Sequence, residues 1–470
     1  MSLKRTKTGI KGLDSYTGGF TEGSLIMLSG EAGTGKTIFS AEFIYRGAEN
    51  GENGVYLSFA ETREVFYSNM RSFGWDFERL EKEGKFKFLE TPSMREEGVS
   101  SMLEMVLDEV RSLGAKRLAV DSFSALAQAF KERIDVRIVL HTVLDKIIKQ
   151  AKCTTVLIVE IPKGTNQLGL GMEEFVADCI IKLSRREFEG QLLRELELLK
   201  LRGAEIRQSK IAFTLKGGFK MLTPLTSEGD IEEPKRYRPI PNTETHISSG
   251  VRDLDEIIGG GARIGTYNLF EVGRDVPFSI TRLVRSMIYN CVSQDYGVVI
   301  LPPRGVSAHR VKARMAPMLG DEAFEHYVRI VDFGEEAKAP YIVNLEGKSI
   351  REDFELFWGA TSKLREKTGK PVFSVVGFDS LEYMYGRDEA LKILGRDVTL
   401  TRNFNDVRLN IIRPTITLAD QLRALADIYF KVDEIDGAIF LRGVKPKTPL
   451  YSFNVSTCQG VSEVKLIPVV

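Results

Sequence analysis

Short apolar runs alternate along the first half of the chain with longer stretches whose apolar residues recur at helical spacing. The strand-like runs cover residues 24–29, 54–59, 85–90, 117–121 and 154–160. The helical stretches cover residues 37–49, 61–72, 97–113 and 134–151. This alternation predicts an α/β domain with a mainly parallel sheet flanked by helices. From residue 180 to residue 215 strand-like runs follow one another closely, which predicts an antiparallel edge.

The second half of the chain repeats the plan of the first. Four segments return in the same order: 8–14 as 249–255, 118–122 as 375–380, 176–178 as 425–427, and 201–203 as 441–443. Four matches in one order indicate a tandem duplication. Residues 225–245 are polar, contain prolines and lack periodicity, as is typical of a linker. We therefore predict domains at residues 1–224 and 246–470, joined by this linker.

Composition narrows the possible classes of protein. The 470 residues include 65 basic and 65 acidic side chains, so the formal net charge is zero. This balance disfavours a permanent nucleic-acid coat, which needs a basic excess, although a local basic patch is still compatible with it. No window approaches about 18 uninterrupted apolar residues, and no apolar stretch follows the basic N-terminus, so we expect a cytoplasmic protein without a membrane partner. The four cysteines lie far apart, which favours buried thiols.

A phosphate-binding motif follows the first strand-like run. Its residues are Gly30, Glu31, Ala32, Gly33, Thr34, Gly35, Lys36 and Thr37, which fit G-x-x-x-x-G-K-[ST] between a strand and a helix. The glycines allow consecutive backbone N–H groups to point at phosphate oxygens, and the helix adds its positive dipole end. We expect Lys36 to contact the β- and γ-phosphates of a nucleotide and Thr37 to bind Mg²⁺ through its hydroxyl.

Three carboxylates stand at or just after strand-like runs. Asp121 is expected to complete the Mg²⁺ site with Thr37, although an Asp at a strand end also serves as a turn or helix cap. Glu61 is a candidate for orienting the attacking water, and the alternative is a first-turn helix acid. Glu160 either senses the γ-phosphate side or is a solvated strand end.

Lys200 and Arg202 alternate in a strand-like run, which places both cations on one face. Such a face is ordinarily only solvated. In a ring-shaped oligomer, the same face would reach a neighbour's γ-phosphate and act in trans as a pair of finger residues. The sequence leaves both interpretations open.

Taken together, these residues resemble the KaiC-like branch of RecA/RadA-type ATPases. The resemblance rests on residues 8–14 with 18–20, the phosphate loop, and residues 61–62, 71–75, 172–178 and 200–203. It implies two tandem RecA-like P-loop NTPase domains, a hexameric homo-oligomer, and ATP at subunit interfaces. It also implies that Ser72 lies near the nucleotide, and that Lys200 and Arg202 come from the adjacent subunit. The residues expected to bind ATP are then those of the motif together with Ile38 and Ser72.

Two departures from the family pattern matter. Family members carry two adjacent glutamates after the second strand, whereas this chain has Ala60-Glu61, so Glu61 acts alone or turnover is very slow. In the second copy, the positions of Gly33, Gly35 and Lys36 are taken by Asp275, Pro277 and Phe278, and that of Lys200 by Phe440. Despite the retained Ser279 and Asp379, these losses predict a pseudo-ATPase, with Thr415 and Thr417 as ordinary threonines rather than phosphosites.

Three functions remain in competition. The first is an ATP-binding, slowly hydrolysing regulatory ring that acts on an unidentified protein partner. The second is a DNA-dependent recombination or repair ATPase, for which the flexible stretch 163–169 is the candidate DNA loop. The third is a nucleotide-stabilised scaffold or transcriptional regulator similar to GvpD.

Overall fold

The structure is a computed structural model that describes residues 4–91, 96–127, 151–162, 176–222, 237–276, 281–333, 339–458 and 461–470. The chain divides into two compact units, Met1–Thr223 with Val469–Val470, and Pro224–Pro468. Among the described residues, every helix is too short or too polar to cross a membrane.

The first unit is built on a nine-stranded sheet. Its strands are β3 (Leu25–Gly30), β4 (Gly54–Ser58), β5 (Phe86–Glu90), β6 (Arg117–Asp121), β7 (Thr154–Glu160), β8 (Cys179–Phe188), β9 (Gln191–Leu201), β10 (Lys210–Thr214) and β11 (Lys220–Met221), and β1 (Arg5–Thr6) pairs with β2 (Phe20–Thr21) outside it. The order is β11-β10-β9-β8-β3-β7-β6-β4-β5. Neighbours from β8 to β5 are parallel, and those from β8 to β11 are antiparallel.

Helices cover both faces of this sheet. They are α1 (Leu13–Thr17), α2 (Lys36–Glu49), α3 (Arg63–Arg71), α4 (Phe77–Lys82), α5 (Glu96–Ser112) and α6 (Phe123–Ala127). Because the central strands are buried on both faces, they are continuously apolar rather than alternating. The strand predictions hold to within one residue, whereas the short helix α4 was not predicted. The predicted helix 134–151 lies outside the described residues except at its last position.

The second unit has a ten-stranded sheet. Its strands are β14 (Thr266–Val272), β15 (Val298–Leu301), β16 (Val328–Asp332), β17 (Ile342–Asn344), β18 (Phe373–Gly377), β19 (Val407–Ile412), β20 (Ile428–Ile435), β21 (Ala438–Lys445), β22 (Leu450–Cys458) and β23 (Val461–Pro468), after the separate pair β12 (His246–Ile247) and β13 (Ala262–Arg263). The order is β17-β16-β15-β18-β19-β14-β20-β21-β22-β23. The helices are α7 (Arg252–Ile258), α8 (Thr281–Val292), α9 (Ala308–Leu319), α10 (Asp321–Tyr327), α11 (Ile350–Thr368), α12 (Phe378–Tyr385), α13 (Arg387–Asn403) and α14 (Ala419–Leu425).

The two sheets follow one topology. The strand before the phosphate loop, β3, lies between β7 and β8, and its counterpart β14 lies between β19 and β20. In the first sheet β7 and β6 lie between β3 and β4, and in the second sheet β19 and β18 lie between β14 and β15. The predicted fold class, α/β with a mainly parallel sheet and an antiparallel edge, is confirmed.

Part of the predicted linker packs against the second unit. The Ile240 N–H donates to Asn290 Oδ1 at 2.8 Å, and the Asn242 N–H donates to Gln294 Oε1 at 2.8 Å. Tyr237 OH donates to the same Asn290 oxygen at 3.2 Å. Asn290 is fully buried, so these contacts satisfy a side chain that would otherwise lose its partners on folding. Residues 223–236 lie outside the described residues.

Candidate functional site

The phosphate loop connects β3 to α2 through glycines that other residues replace poorly. Gly33 has φ 73° and Gly35 has φ 102°, both in the left-handed region. A Cβ added to Gly30 would lie 2.6 Å from the Leu183 carbonyl oxygen. The loop is closed by the Thr34 hydroxyl, which donates to the Glu31 carbonyl at 2.8 Å. This backbone leaves the first N–H groups of α2 pointing out of the carboxyl edge of the sheet.

The Lys36 side chain folds back into this loop. Its Nζ donates to the carbonyl oxygens of Gly30 and Glu31, both at 2.8 Å, and only 8% of the residue is exposed. Burial lowers the pKa of Lys36, and the nearby carboxylates of Glu160, Asp121 and Glu31 oppose this shift. The ammonium is therefore held beside the loop by two neutral acceptors, which a bound phosphate can replace.

Thr37 and Asp121 meet beside the lysine. Thr37 Oγ1 donates to Asp121 Oδ2 at 2.7 Å, and the hydroxyl of Tyr56 donates to the same oxygen at 2.8 Å. Burial, followed by the charge of Asp121, raises the pKa of Tyr56 well above its ordinary value, so the phenol stays a neutral donor. Tyr56 was not among the site residues predicted from the sequence. The only indication of its role in the sequence is a phenol hydroxyl within an apolar strand that neighbours the strand ending in Asp121.

Glu61 lies just after β4, within the electrostatic reach of this pair. Its backbone is fixed by Ser58, whose Oγ accepts from the Glu61 N–H at 3.0 Å and donates to the Glu61 carbonyl at 2.9 Å. The Oε2 atom is buried and has no hydrogen-bond partner among the described residues. Desolvation and then Asp121 raise the pKa of Glu61, against a hydrogen bond from Asn69 that lowers it. The preceding Ala60 is exposed and brings no carboxylate.

These groups fit Mg-ATP. The donor set is a hydroxyl and a carboxylate, which are oxygen ligands of the kind that Mg²⁺ prefers. Within the described ranges there is no cluster of three or more His, Cys, Asp or Glu side chains suited to a metal. A metal between Thr37 and Asp121 would thus need phosphate oxygens to complete its shell, as Mg²⁺ does in nucleotide sites. Glu61 Oε2, which has no hydrogen-bond partner among the described residues, is likewise available to accept a hydrogen bond from a proton donor.

Three other predicted residues of the site lie on different elements. Ile38 is half-buried in the first turn of α2. Ser72 is exposed at the C-terminal end of α3, where its Oγ donates to the Asn69 carbonyl at 2.6 Å. Glu160 is exposed at the end of β7, and its N–H donates to Ser124 Oγ at 2.8 Å.

The phosphate loop also contacts an arginine that the sequence analysis missed. Arg194 Nη1 donates to the Gly33 carbonyl at 2.8 Å. Arg194 is paired across β8 and β9 with Arg185, whose guanidinium lies 3.4 Å from a Cβ built on Gly33. Burial and then Arg185 lower the pKa of Arg194. Only the register of the β8–β9 hairpin identifies these two residues, so no local motif would have revealed them.

Lys200 and Arg202 lie at the opposite end of the sheet. Lys200 pairs with Ile180 near the start of β8, and Arg202 follows the end of β9. Arg202 forms an ion pair with Asp178 at 3.0 Å, and the other carboxylate oxygen of Asp178 accepts from the Leu25 N–H at the start of β3. The six residues of β3 separate this end from the phosphate loop, roughly 17 Å at the usual rise per residue. Neither cation reaches the site of its own unit.

The corresponding edge of the second unit differs in charge. The loop after β15 holds Pro302, Pro303 and Arg304 in place of the loop that carries Glu61. Asp379 lies in the first turn of α12 rather than at a strand end, and burial raises the pKa of its carboxyl. Phe440 is buried in β21. Pro277, Phe278 and Ser279 lie outside the described residues.

Several further predictions have mixed outcomes. Cys153, Cys179 and Cys291 are buried free thiols, and burial raises the pKa of Cys153 and Cys179 to about 12. Thr415 and Thr417 are exposed, and the Thr417 N–H donates to Glu382 Oε1 at 2.8 Å. The stretch 163–169, predicted as a DNA loop, and residues 172–175 lie outside the described residues.

Known proteins match the two units differently. A family model for an ATPase, described as KaiC, matches residues 6–221, and a model described as GvpD basic region 2 matches residues 236–331. The circadian clock oscillator protein KaiC of Synechococcus elongatus is 34% identical over 272 residues, which cover 55% of this chain and 50% of that protein. Circadian clock protein KaiC3 of a Synechocystis strain is 30% identical over 271 residues, covering 55% of this chain and 52% of that protein.

A KaiC-like protein from Pyrococcus horikoshii OT3, known from a crystal structure, is 36% identical and covers 47% of this chain and 99% of that one, with a TM-score of 0.43. The chain spans about half the length of the curated relatives that it matches. The family match covers the phosphate loop and every predicted site residue of the first unit. The N-terminal half of the chain is thus a P-loop ATPase domain of the KaiC-like family.

Proposed function

We propose that the first unit binds Mg-ATP through Lys36, Thr37 and Asp121 and hydrolyses it slowly to ADP and phosphate. The observation that carries this proposal is the 2.7 Å contact between the Thr37 hydroxyl and the Asp121 carboxylate, which forms at the carboxyl edge beside Lys36. Parallel sheets of this kind bind ligands at that edge.

Each side chain has a distinct part in the proposed reaction. Lys36 exchanges its two carbonyl acceptors for phosphate oxygens, while Thr37 and Asp121 hold the metal. When bound, Mg²⁺ neutralises the charge that develops on the transferred phosphoryl group. Tyr56 keeps the Asp121 carboxylate oriented. Glu61 accepts a proton from the attacking water at Oε2, and its raised pKa makes it a better base than an ordinary glutamate.

Slow turnover follows from the single carboxylate after β4. The position before Glu61 is Ala60, so no second acid is present there to share the proton or align the water. Binding is unaffected in this proposal because neither residue belongs to the phosphate loop.

The proposed assembly is a homo-oligomeric ring, hexameric by resemblance to KaiC. Lys200 and Arg202 lie at the far end of the sheet from their own phosphate loop, so they can contribute to hydrolysis only at a neighbouring subunit. The second unit, with its altered loop, is proposed not to bind ATP and to serve ring packing or the docking of a protein partner. The nucleotide state of the first unit would then regulate that partner.

Native mass and ATP affinity test the proposal together. The wild-type chain and Lys36→Ala are compared with and without Mg-ATP, by native mass spectrometry and calorimetry. We expect ATP binding and ATP-dependent assembly in the wild type, and at least about a hundredfold weaker binding in the variant because a charge-assisted phosphate contact is lost. Equal ATP binding by both proteins would refute the site, and a monomer indifferent to ATP would refute the ring.

A regulator in which ATP is mainly structural is the second candidate. It is supported by the match of residues 236–331 to GvpD basic region 2. Under this function, Mg-ATP raises the melting temperature of the wild type but no turnover is detected. Multiple turnovers that depend on Glu61 would favour the ATPase instead.

A further inference from the structure

The second unit contains a cavity of about 150 Å³ at the carboxyl edge of its sheet. We call it the arginine cavity. Its apolar floor comes from β14, α8, β15 and β18 and includes Phe270, Val284, Ile288, Ile300 and Val375. Its polar rim consists of Arg285, Arg304, Arg310, Arg314, Asp379 and Arg413. Five arginines and one aspartate give the rim a formal charge of +4.

The rim gathers positively charged side chains around a concave surface. Arg310 and Arg314 are four residues apart on α9, so they share one helix face, where like charges repel. Arg285 on α8 is 6% exposed and lines the same cavity. Cations gathered around a concave surface attract anions and raise their local concentration.

Two of the rim arginines are held in place by neighbours. The Arg304 guanidinium lies over the Tyr383 ring, 3.7 Å from its centroid. Arg413 Nη1 donates to the Gly273 carbonyl, next to the second copy's counterpart of the phosphate loop. Positioned guanidinium groups lose less entropy on binding than mobile ones.

The floor sets the size and polarity of the ligand. A cavity of this volume lined by aliphatic groups accepts a benzene-sized ring. Pockets that enclose larger ligands are typically about 300–1,000 Å³, so a nucleoside is too large for the cavity. Among anionic groups, a phosphate monoester carries close to two negative charges at neutral pH and accepts bidentate hydrogen bonds from arginine.

We propose that the arginine cavity binds a small organic phosphate monoester, with its apolar ring or chain on the floor and its phosphate at the arginine rim. This site is separate from the ATP site of the first unit, and its existence does not depend on the function proposed for that unit. It gives the second unit a ligand of its own in place of ATP.

Calorimetry on the full chain tests this proposal, with phenyl phosphate as the probe. The Lys36→Ala variant serves as the parent so that the phosphate loop of the first unit does not contribute. Inorganic phosphate, phenol and ATP are titrated in parallel. We expect phenyl phosphate to bind at least about tenfold more tightly than either of its fragments, because only it uses both rim and floor.

Two sets of substitutions test the rim and the floor of the cavity separately. Arg310→Gln with Arg314→Gln removes two rim charges from one face of α9, and we expect phenyl phosphate to bind at least about tenfold more weakly. Val284→Phe fills the floor and is expected to weaken phenyl phosphate by a similar factor while inorganic phosphate changes by less than about twofold. Arg351→Gln, an exposed arginine on α11, is the matched control and should change nothing.

The proposal would be overturned if the parent did not bind phenyl phosphate, if it bound inorganic phosphate with equal affinity, or if the double arginine substitution left the affinity unchanged. Competition by ATP at equal affinity would also overturn it, because the site would then be a nucleotide site. Melting curves confirm that each variant is folded, and if Val284→Phe is not, the double substitution of Arg310 and Arg314 still decides the question.

Discussion

The corresponding corner of each sheet, meaning the carboxyl edge beside the phosphate loop or its counterpart, carries opposite charge in the two units. In the first unit, Glu61 in the loop after β4 lies within electrostatic reach of Asp121 at the end of β6, and Tyr56 donates a hydrogen bond to Asp121. In the second unit, the loop after β15 carries Arg304, and Arg413 follows β19. Apart from the additional edge strand β17, the strands follow the same order in both sheets, so the same framework carries different chemistry at its edge. The proposed ligands differ accordingly: a metal-bound nucleotide beside the acids of the first unit, and a phosphate monoester beside the arginines of the second.

The largest expected effect on this comparison comes from neutralising the Glu61 carboxylate of the first unit. Glu61→Gln removes the proposed base, and we expect the hydrolysis rate to fall about a hundred- to ten-thousand-fold with ATP affinity nearly unchanged. Arg304→Gln in the second corner is the matched control and should leave hydrolysis as it is. Single-turnover rates measure both. Since burial raises the pKa of Glu61, its ionised form weakens the fold at neutral pH, and the variant should melt at the same or a higher temperature.

The acidic corner should also give the reaction a characteristic pH dependence. Glu61 acts only when ionised, and its pKa is raised by burial and by Asp121. Hydrolysis should therefore fall about tenfold per pH unit as the pH drops below that raised pKa. The inflection should lie above the ordinary pKa of a glutamate, and the limb should vanish in Glu61→Gln. A profile identical in both proteins would assign the titration to another group.

Substitution of Lys200 tests whether the ATP site of the first unit is complete within one subunit. Lys200→Ala should lower hydrolysis roughly tenfold, the value of one hydrogen bond to a charged group, while Lys210→Ala on the neighbouring strand should not. Mixing Lys200→Ala with Lys36→Ala then shows whether Lys200 acts on a neighbouring subunit. In a mixed ring, the Lys200→Ala subunit supplies an intact phosphate loop and the Lys36→Ala subunit supplies Lys200, so activity should recover. Absence of recovery would place the role of Lys200 within its own subunit or in folding.

The smallest expected effect concerns the arginine beside the phosphate loop. Arg194→Gln removes the bond to the Gly33 carbonyl, and we expect ATP affinity to fall about three- to tenfold, as for a single hydrogen bond from a charged donor. Arg186→Gln is the control, because that residue lies in the same hairpin but pairs with Glu195. Equal affinity in both variants would mean that Arg194 only stiffens the hairpin.

Much of the fold was predictable because its signals are local. The apolar runs of β4, β6 and β7 and the helical pattern of α2 and α5 each lie in one continuous stretch of sequence. The phosphate loop was predictable for the same reason, since strand, glycines, lysine and helix adjoin one another. The helix α4 was missed because six residues are too few to show a helical period.

The candidate site was predictable only in part because its members meet across the sheet. Asp121 and Glu61 stand at strand ends, where a rule about carboxyl edges applies. Tyr56 and Arg194 obey no such rule, since their roles depend on which strands are neighbours and in which register. The arginine cavity is a further case, assembled from α8, α9, and the ends of four strands.

The sequence by itself determined the α/β class, the duplication, the intact phosphate loop of the first copy and the altered loop of the second. Each of these features lies in continuous stretches of sequence, so local propensity and pattern suffice to predict it. Tertiary structure alone decided that Lys36 rests on its own loop, that Tyr56 holds Asp121, and that Arg202 faces away from its own phosphate loop. The first of these is a local contact that only the folded loop shows, since Lys36 Nζ bonds to carbonyls five and six positions away. The other two depend on strand order and register, which bring together residues as far as 153 positions apart and which only the packed core fixes.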